Sequence, residues 1–220
     1  MCGRFTLSIN ELEIEERFSK KLAFRFIPQY NIRPSMNLPV ITAENPLIAS
    51  ATWGMPRSGN PSQVAINAKL ETLFRQPLFS PLISSNRCLI PADSFIEWDQ
   101  SAIHQPYRFM LPDQSIFCFA GLYSDLKIAN QRRRFFTIIT TKAKGQVATI
   151  HSRMPLIVQR DFETQWLNDE PANSSSIEAV ETSASLISVA ISPIINKSVG
   201  NTPGLLLPIQ KPLTLFDDIT

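Results

Sequence analysis

The chain has 220 residues, a formal net charge of +2 and 44% hydrophobic residues. That length buries one sizeable core or two small ones, and the composition is that of an ordinary globular protein. No apolar run reaches the roughly 18 residues that cross a membrane as a helix, no basic-then-apolar leader opens the chain, and so small a charge does not by itself argue for a nucleic-acid partner; the expectation is an intracellular, cytoplasmic protein.

The chain opens on Met1-Cys2-Gly3-Arg4-Phe5. Removal of Met1 would leave Cys2 with a free α-amine, of pKa about 8, beside a thiol. An unprotonated amine attacks an aldehyde to give an imine, and the neighbouring thiol can close a five-membered ring on it. The plainer alternative is an incidental small residue after the start. Ser8-Ile9-Asn10-Glu11 has the spacing of a capping box, with Ser8 as N-cap and a helix running to about residue 20. Tyr30 to Pro34 reads as a loop, because Pro34 disfavours helix at Arg33. Strands are expected at about 37–43 and 47–54, then a turn-rich loop from Pro56 to Pro61. Gln63 to Asn67 reads as a short strand, with a helical stretch after Thr72 and before Pro77.

From Arg87 onward β signals dominate: Arg87 to Ile90, Ser94 to Trp98, Pro106 to Leu111, Ile116 to Tyr123 and Arg134 to Thr141. Lys144 to Ile150 suits one or two helical turns, Pro155 to Val158 a strand, and Phe162 to Leu167 a helix. Residues 171–185 read as a loop with a short helix, and Leu186 to Ser192 as the last strand. Short strands in series with a few helices predict a mainly β, α+β single domain over residues 1–220, built as a barrel-like sheet. Arg132-Arg133-Arg134 and Lys142 with Lys144 read first as solvated faces. Cys88 and Cys118 lie in apolar runs and read as reduced core residues. The spacing of Cys2, His104 and His151 lends no support to a zinc site.

Three polar residues stand out against apolar neighbours. Glu97, in Phe95-Ile96-Glu97-Trp98, is either a desolvated proton donor of raised pKa or simply the water-facing member of an alternating strand. His151, in Ile150-His151-Ser152-Arg153, is either a catalytic proton carrier or a core histidine satisfied by one hydrogen bond. Asn67 is either a group that orients a reacting oxygen or a turn residue. His104 falls in a polar turn and reads as exposed.

Taken together, several segments resemble the SOS-response-associated peptidase (SRAP) family: Met1 to Phe5, Tyr30-Asn31-Ile32, Trp53-Gly54, Asn67-Ala68-Lys69-Leu70-Glu71-Thr72, Arg87 to Asp93, Phe95 to Trp98, Phe119-Ala120-Gly121-Leu122, and Ile150 to Pro155, with a weak resumption at Val199-Gly200-Asn201. Each is modest alone, and their order makes the likeness specific. The resemblance implies a DNA-repair protein that captures abasic sites in single-stranded DNA as a thiazolidine cross-link to its N-terminal cysteine. It implies Cys2 as nucleophile, Asn67 as its positioning group, and Glu97 and His151 as the other catalytic residues. Arg4, Lys69 and Arg153 fall where the family places phosphate-binding cations, and Asn31, Trp53 and Thr140 complete the DNA-binding set. It implies a monomer acting on DNA, with no membrane, no metal and no cofactor.

The chain departs from the pattern in three places. Lys69 stands where the family usually has arginine, so a point charge replaces a two-pronged fork. Met55 to Gly59 lacks a second tryptophan. The segment from Lys197 to Gly204 is short. Two other readings stay open: a thiol peptidase with Cys2 as nucleophile, His151 as base and Asn67 or Glu97 as orienting group, and a non-catalytic single-strand-binding module.

Overall fold

The computed structural model describes residues 2–57, 60–169, 173–181, 185–197 and 200–209. The chain runs β1 (Phe5–Leu7), α1 (Glu11–Phe18), β2 (Gln29–Ile32), β3 (Asn37–Val40), β4 (Ala49–Trp53), β5 (Met55–Arg57), β6 (Asn60–Ala65) and β7 (Asn67–Lys69). A 3-10 helix, Leu70–Arg75, leads to β8 (Arg87–Ala92), β9 (Ser94–Trp98), β10 (Pro106–Met110), β11 (Phe117–Ile128) and β12 (Gln131–Lys142). Then come α2 (Gly145–Ala148), β13 (Arg153–Pro155), β14 (Ile157–Val158), α3 (Glu163–Asn168), α4 (Ser174–Glu178) and β15 (Ile187–Ala190).

These strands form two main sheets and a hairpin. The smaller sheet has the order β15-β10-β9-β1-β2; the larger follows β14-β11-β12-β4-β3, with β7 and β13 joined to β12 and β8 joined to β11; β5 and β6 pair alone. The mainly β, α+β single domain expected from the sequence is present, and its sheets stay open rather than closing into a barrel. No helix of the described residues is long and apolar enough to cross a membrane.

Phe5 joins the two sheets. On β1 it registers with Ile32 and Phe95 in the smaller sheet, while its ring meets Trp53 at 5.1 Å and Phe119 at 5.4 Å, both edge-on, in the larger one. Phe95 continues this aromatic seam to Phe109 and Phe119. Because β1 lies between β9 and β2, the start of the chain is pinned on both sides, and Cys2 enters the core wholly buried.

Several boundaries differ from the sequence reading, each for a local reason. The N-cap of α1 is Asn10, with Glu13 closing the capping box, not Ser8 with Glu11. Ser8 is drawn away: its N–H and hydroxyl both donate to the buried Asp93 carboxylate at 2.5 Å. Glu11 is used too, since its carboxylate accepts from the backbone N–H of Phe26. Tyr30 to Ile32, expected as loop, lies in β2 because β1 offers it an antiparallel partner; the turn begins at Arg33. Pro56 to Pro61, expected as loop, contributes to the β5–β6 hairpin, where Pro56 faces Val64; Ser58 and Gly59 lie outside the described residues. The helix expected after Thr72 starts at Leu70. Val199, part of the weak C-terminal likeness, and residues 210–220 also lie outside them, while Asn201 tethers β2 by accepting from Tyr30 N–H at 2.7 Å and donating to the Pro28 carbonyl at 2.8 Å.

Candidate active site

Four residues that are far apart in sequence converge where the two sheets meet. The Asn67 side-chain amide donates to the Cys2 carbonyl at 2.8 Å, and its own side-chain oxygen is buried with no hydrogen-bond partner among the described residues. Glu97, on β9, is buried at 2% exposure. One of its carboxylate oxygens lies 3.7 Å from His151 Nδ1. That ring nitrogen also sits 2.9 Å from the Arg153 carbonyl oxygen and 3.1 Å from the Arg153 backbone nitrogen, so the imidazole is held by the start of β13.

The electrostatics follow from burial. Loss of water around Glu97 pushes its carboxyl up to about 7, because the charged form loses solvation that the protein replaces only in part. Burial likewise pushes the Cys2 thiol well above its ordinary value, and the nearby Glu97 carboxylate pushes it further. At neutral pH the thiol therefore keeps its proton, while Glu97 is poised between acid and carboxylate. Cys88 and Cys118 are also buried and reduced, deep in the larger sheet. His104 is exposed in its turn, its ring 3.3 Å from the Asp99 carbonyl oxygen.

The cations expected at DNA sit around this cluster. Arg4 donates to the Asn31 side chain at 2.6 Å and the Ile195 carbonyl at 3.1 Å, and its guanidinium lies 5.7 Å from the centre of the Trp98 ring. Burial and then the neighbouring Arg33 press down its basicity, so two positive charges stand near each other here. Lys69 is exposed and registers with Thr140 across the parallel β7–β12 pair. Arg153 is tied to Thr140, through the carbonyl at 2.6 Å and the hydroxyl at 3.2 Å, and to the Glu71 carboxylate at 2.5 and 3.1 Å.

Three of the residues expected to touch DNA are buried instead. Trp53 is 0% exposed; it packs on Phe5 and Phe136 and donates its ring N–H to the Ile66 carbonyl at 2.9 Å. Its place is the core behind Asn67, since β4 and β7 both run beside β12. Thr140 and Asn31 are also buried, and each holds an arginine rather than facing solvent. Conversely, Glu71, Trp98, Ile195 and Asn196 shape the site without having been assigned a role from sequence. Glu71 stood inside a recognised motif. Asn196, which accepts from the Trp98 ring N–H at 2.8 Å, lies nearly a hundred residues from its partner, and no local pattern marks it.

This arrangement holds the Cys2 backbone and thiol, a carboxyl of pKa about 7 and a histidine within one cluster, with Arg4, Lys69 and Arg153 nearby. A model of the SOS response associated peptidase (SRAP) family matches residues 1–201. The abasic site processing protein YoaM of Bacillus subtilis (strain 168) is 37% identical over 191 residues, covering 80% of this chain and 82% of the relative. YoqW of the same organism, also an abasic site processing protein, is 32% identical over 221 residues, covering 94% and 99%. The abasic site processing protein HMCES of Xenopus tropicalis is 24% identical, covering 84% of this chain and 67% of its own length. In fold, the chain is similar to a crystal structure of a protein from Bacteroides thetaiotaomicron, with a TM-score of 0.85 over 95% of this chain and 100% of the other, at 22% identity. The chain belongs to the SOS response associated peptidase (SRAP) family.

Proposed function

We propose that this chain processes abasic sites in single-stranded DNA by covalent capture, forming a thiazolidine between the open-chain sugar aldehyde and an N-terminal Cys2 freed of Met1. The observation that carries the reading is the convergence of Cys2, held through its carbonyl by Asn67 at 2.8 Å, with a buried Glu97 3.7 Å from His151; burial pushes the Glu97 carboxyl up to about 7 and favours the protonated Cys2 thiol. With the thiol protonated, the α-amine is the first nucleophile. It adds to C1′ of the aldehyde to give a carbinolamine. Glu97 in its acid form protonates the departing hydroxyl, water leaves, and an iminium remains beside the Glu97 carboxylate. That carboxylate then takes the thiol proton as sulfur adds to the iminium carbon. The C–S bond closes the ring, the nitrogen keeps its proton, and Glu97 is an acid again. Closure is intramolecular and therefore fast.

Asn67 fixes the Cys2 backbone through its amide, leaving its buried oxygen to accept from the amine or a sugar hydroxyl. His151, beside Glu97, moves a proton on or off the sugar ring oxygen. Arg4, Lys69 and Arg153 grip phosphates, with Asn31 and Thr140 holding the two arginines. Every group the steps use comes from one chain, so the reading is of a monomer that draws on no metal or cofactor. A thiol peptidase needs a thiolate at the start, which the raised Cys2 pKa disfavours.

The test is a denaturing gel of the parent, Cys2→Ser and Cys2→Ala with an abasic oligonucleotide, with and without borohydride. The parent should give a heat-stable adduct without reductant. Both variants keep the amine and should be trapped only when borohydride reduces the imine. A parent that forms no heat-stable adduct ends this reading.

A further inference from the structure

We propose that Glu71 is an internal stand-in for a DNA phosphate: in the free protein its carboxylate occupies the Arg153 guanidinium, and a bound single strand displaces it. The inference rests on the reading of Arg153 as a phosphate contact and adds a residue that sets the affinity and salt dependence of that contact.

The geometry is that of a two-pronged pair. Glu71 Oε1 lies 2.5 Å from Arg153 Nη1 and Oε2 lies 3.1 Å from Nη2. A carboxylate and a phosphate offer a guanidinium the same pair of oxygens, so the two compete for one edge of the fork. The other side of Arg153 is already engaged, since Nη2 also donates to the Thr140 carbonyl and hydroxyl on β12. Thr140 thus fixes where the guanidinium sits, whichever anion it holds.

Exposure gives the order of the layers. The Glu71 side chain is 40% exposed and that of Arg153 is 15% exposed, so the carboxylate stands on the solvent side, where a DNA backbone would arrive. Glu71 is delivered there by the 3-10 helix that starts directly after β7, whose Lys69 registers with Thr140. The free protein therefore presents an exposed Lys69 and a neutralised Arg153 on two strands that each pair with β12. Lys142, opposite Arg153 in the β12–β13 pair, lies close enough to help hold Glu71 acidic, after the larger effect of Arg153 itself. It offers the displaced carboxylate another cation. Because the Glu71 side of the pair faces solvent, an arriving anion can exchange with its carboxylate.

The test measures binding of an intact single-stranded oligonucleotide, without an abasic site, across a salt series for the parent, Glu71→Gln, Arg153→Ala and the double variant, each checked for folding by thermal melting. Glu71→Gln should bind about two- to fivefold tighter, the range in which an exposed ion pair competes. Its salt dependence should steepen by at most about 0.7 units, the value of one full phosphate contact on a single strand. In the Arg153→Ala background the same change should have no effect. Glu71→Asp, too short to span both nitrogens, should move in the same direction by less and covers the case of a poorly folded glutamine variant. Unchanged or weaker binding by Glu71→Gln overturns the inference, because then Glu71 only positions Arg153. Tightening that persists undiminished without Arg153 also overturns it, because general charge repulsion would explain it. A parent that binds no intact single strand overturns the phosphate reading of Arg153 along with this one, whereas a parent that binds normally and a variant that does not differ overturn this one alone.

Discussion

Glu97 carries a stability cost that fits the proton-donor role proposed for it. Its folded pKa of about 7 is raised above the ordinary carboxylate value. Between about pH 4.5 and 7 the folded protein holds a proton there that the unfolded chain has released, so stability falls as pH rises through that window and is flat above it. Glu97→Gln removes this dependence. The variant should be more stable than the parent at pH 8, by on the order of 1 to 3 kcal/mol, and nearly equal to it at pH 4.5. Urea unfolding at the two pH values measures this. The same change should slow cross-linking by about 10² to 10⁴ while leaving DNA affinity largely intact, since only proton exchange is lost. Equal stability at both pH values would mean that Glu97 is solvated in the folded state. Sequence left Glu97 between two faces, because alternation in Phe95-Ile96-Glu97-Trp98 says which residues share a side and not which side is buried. In the fold, β9 is covered on both faces as far as Glu97, so the carboxylate is buried along with its apolar neighbours.

At the scale of elements, the β11–β12 ribbon is the spine. β12 takes β4 and β7 as parallel partners and β13 as an antiparallel one, which brings Asn67, Thr140 and Arg153 onto neighbouring strands. Gly121 sits in the middle of β11, registered with Ile138 and Cys88. A methyl group there would come within 2.9 Å of the Thr137 carbonyl oxygen and 2.2 Å of the Ile90 side chain. Ile90 can turn aside, but the carbonyl belongs to the neighbouring strand. Gly121→Ala should therefore destabilise the protein by roughly 1 to 3 kcal/mol, read as a lower urea midpoint. An unchanged midpoint would mean that the ribbon shifts freely. This explains physically why Phe119-Ala120-Gly121-Leu122 has a glycine at its third place. Gly54, at φ +117, serves differently, turning the chain from β4 into β5 where a side chain would be strained.

For the whole molecule, the net charge of +2 means that no broad positive field draws DNA in. The Arg132-Arg133-Arg134 cluster does not change this: Arg132 and Arg134 both pair with Asp125, at 3.0 and 2.8 Å, at the end of the ribbon, where Arg132 and Arg133 are exposed and Arg134 is half-buried over the Tyr123 ring. If Arg4, Lys69 and Arg153 are the phosphate contacts, the logarithm of affinity for an intact single strand should fall with the logarithm of salt with a slope of about 1.4 to 2, at roughly 0.7 per full contact, Arg153 counting for less than one while Glu71 competes for it. A slope of about four or more would bring in further cations and undo the assignment.

By itself, the sequence determined the mainly β class, the burial of Cys88 and Cys118, the exposure of His104, and a set of short motifs whose order matched one family. These depend on local pattern: alternation, apolar runs and turn residues act over a few positions. What it left open was decided by contacts across the chain. Ser8 loses its capping role because Asp93 claims it, and Tyr30 to Ile32 extends because β1 lies alongside. Trp53, expected at DNA, lies in the core because Phe5 and Phe136 enclose it. Only the tertiary structure put Glu97 3.7 Å from His151 and near enough to the Cys2 thiol for its charge to raise the thiol's pKa, since the pKa of a carboxyl depends on the water it loses and the charges it meets, and both are supplied by residues distant in sequence.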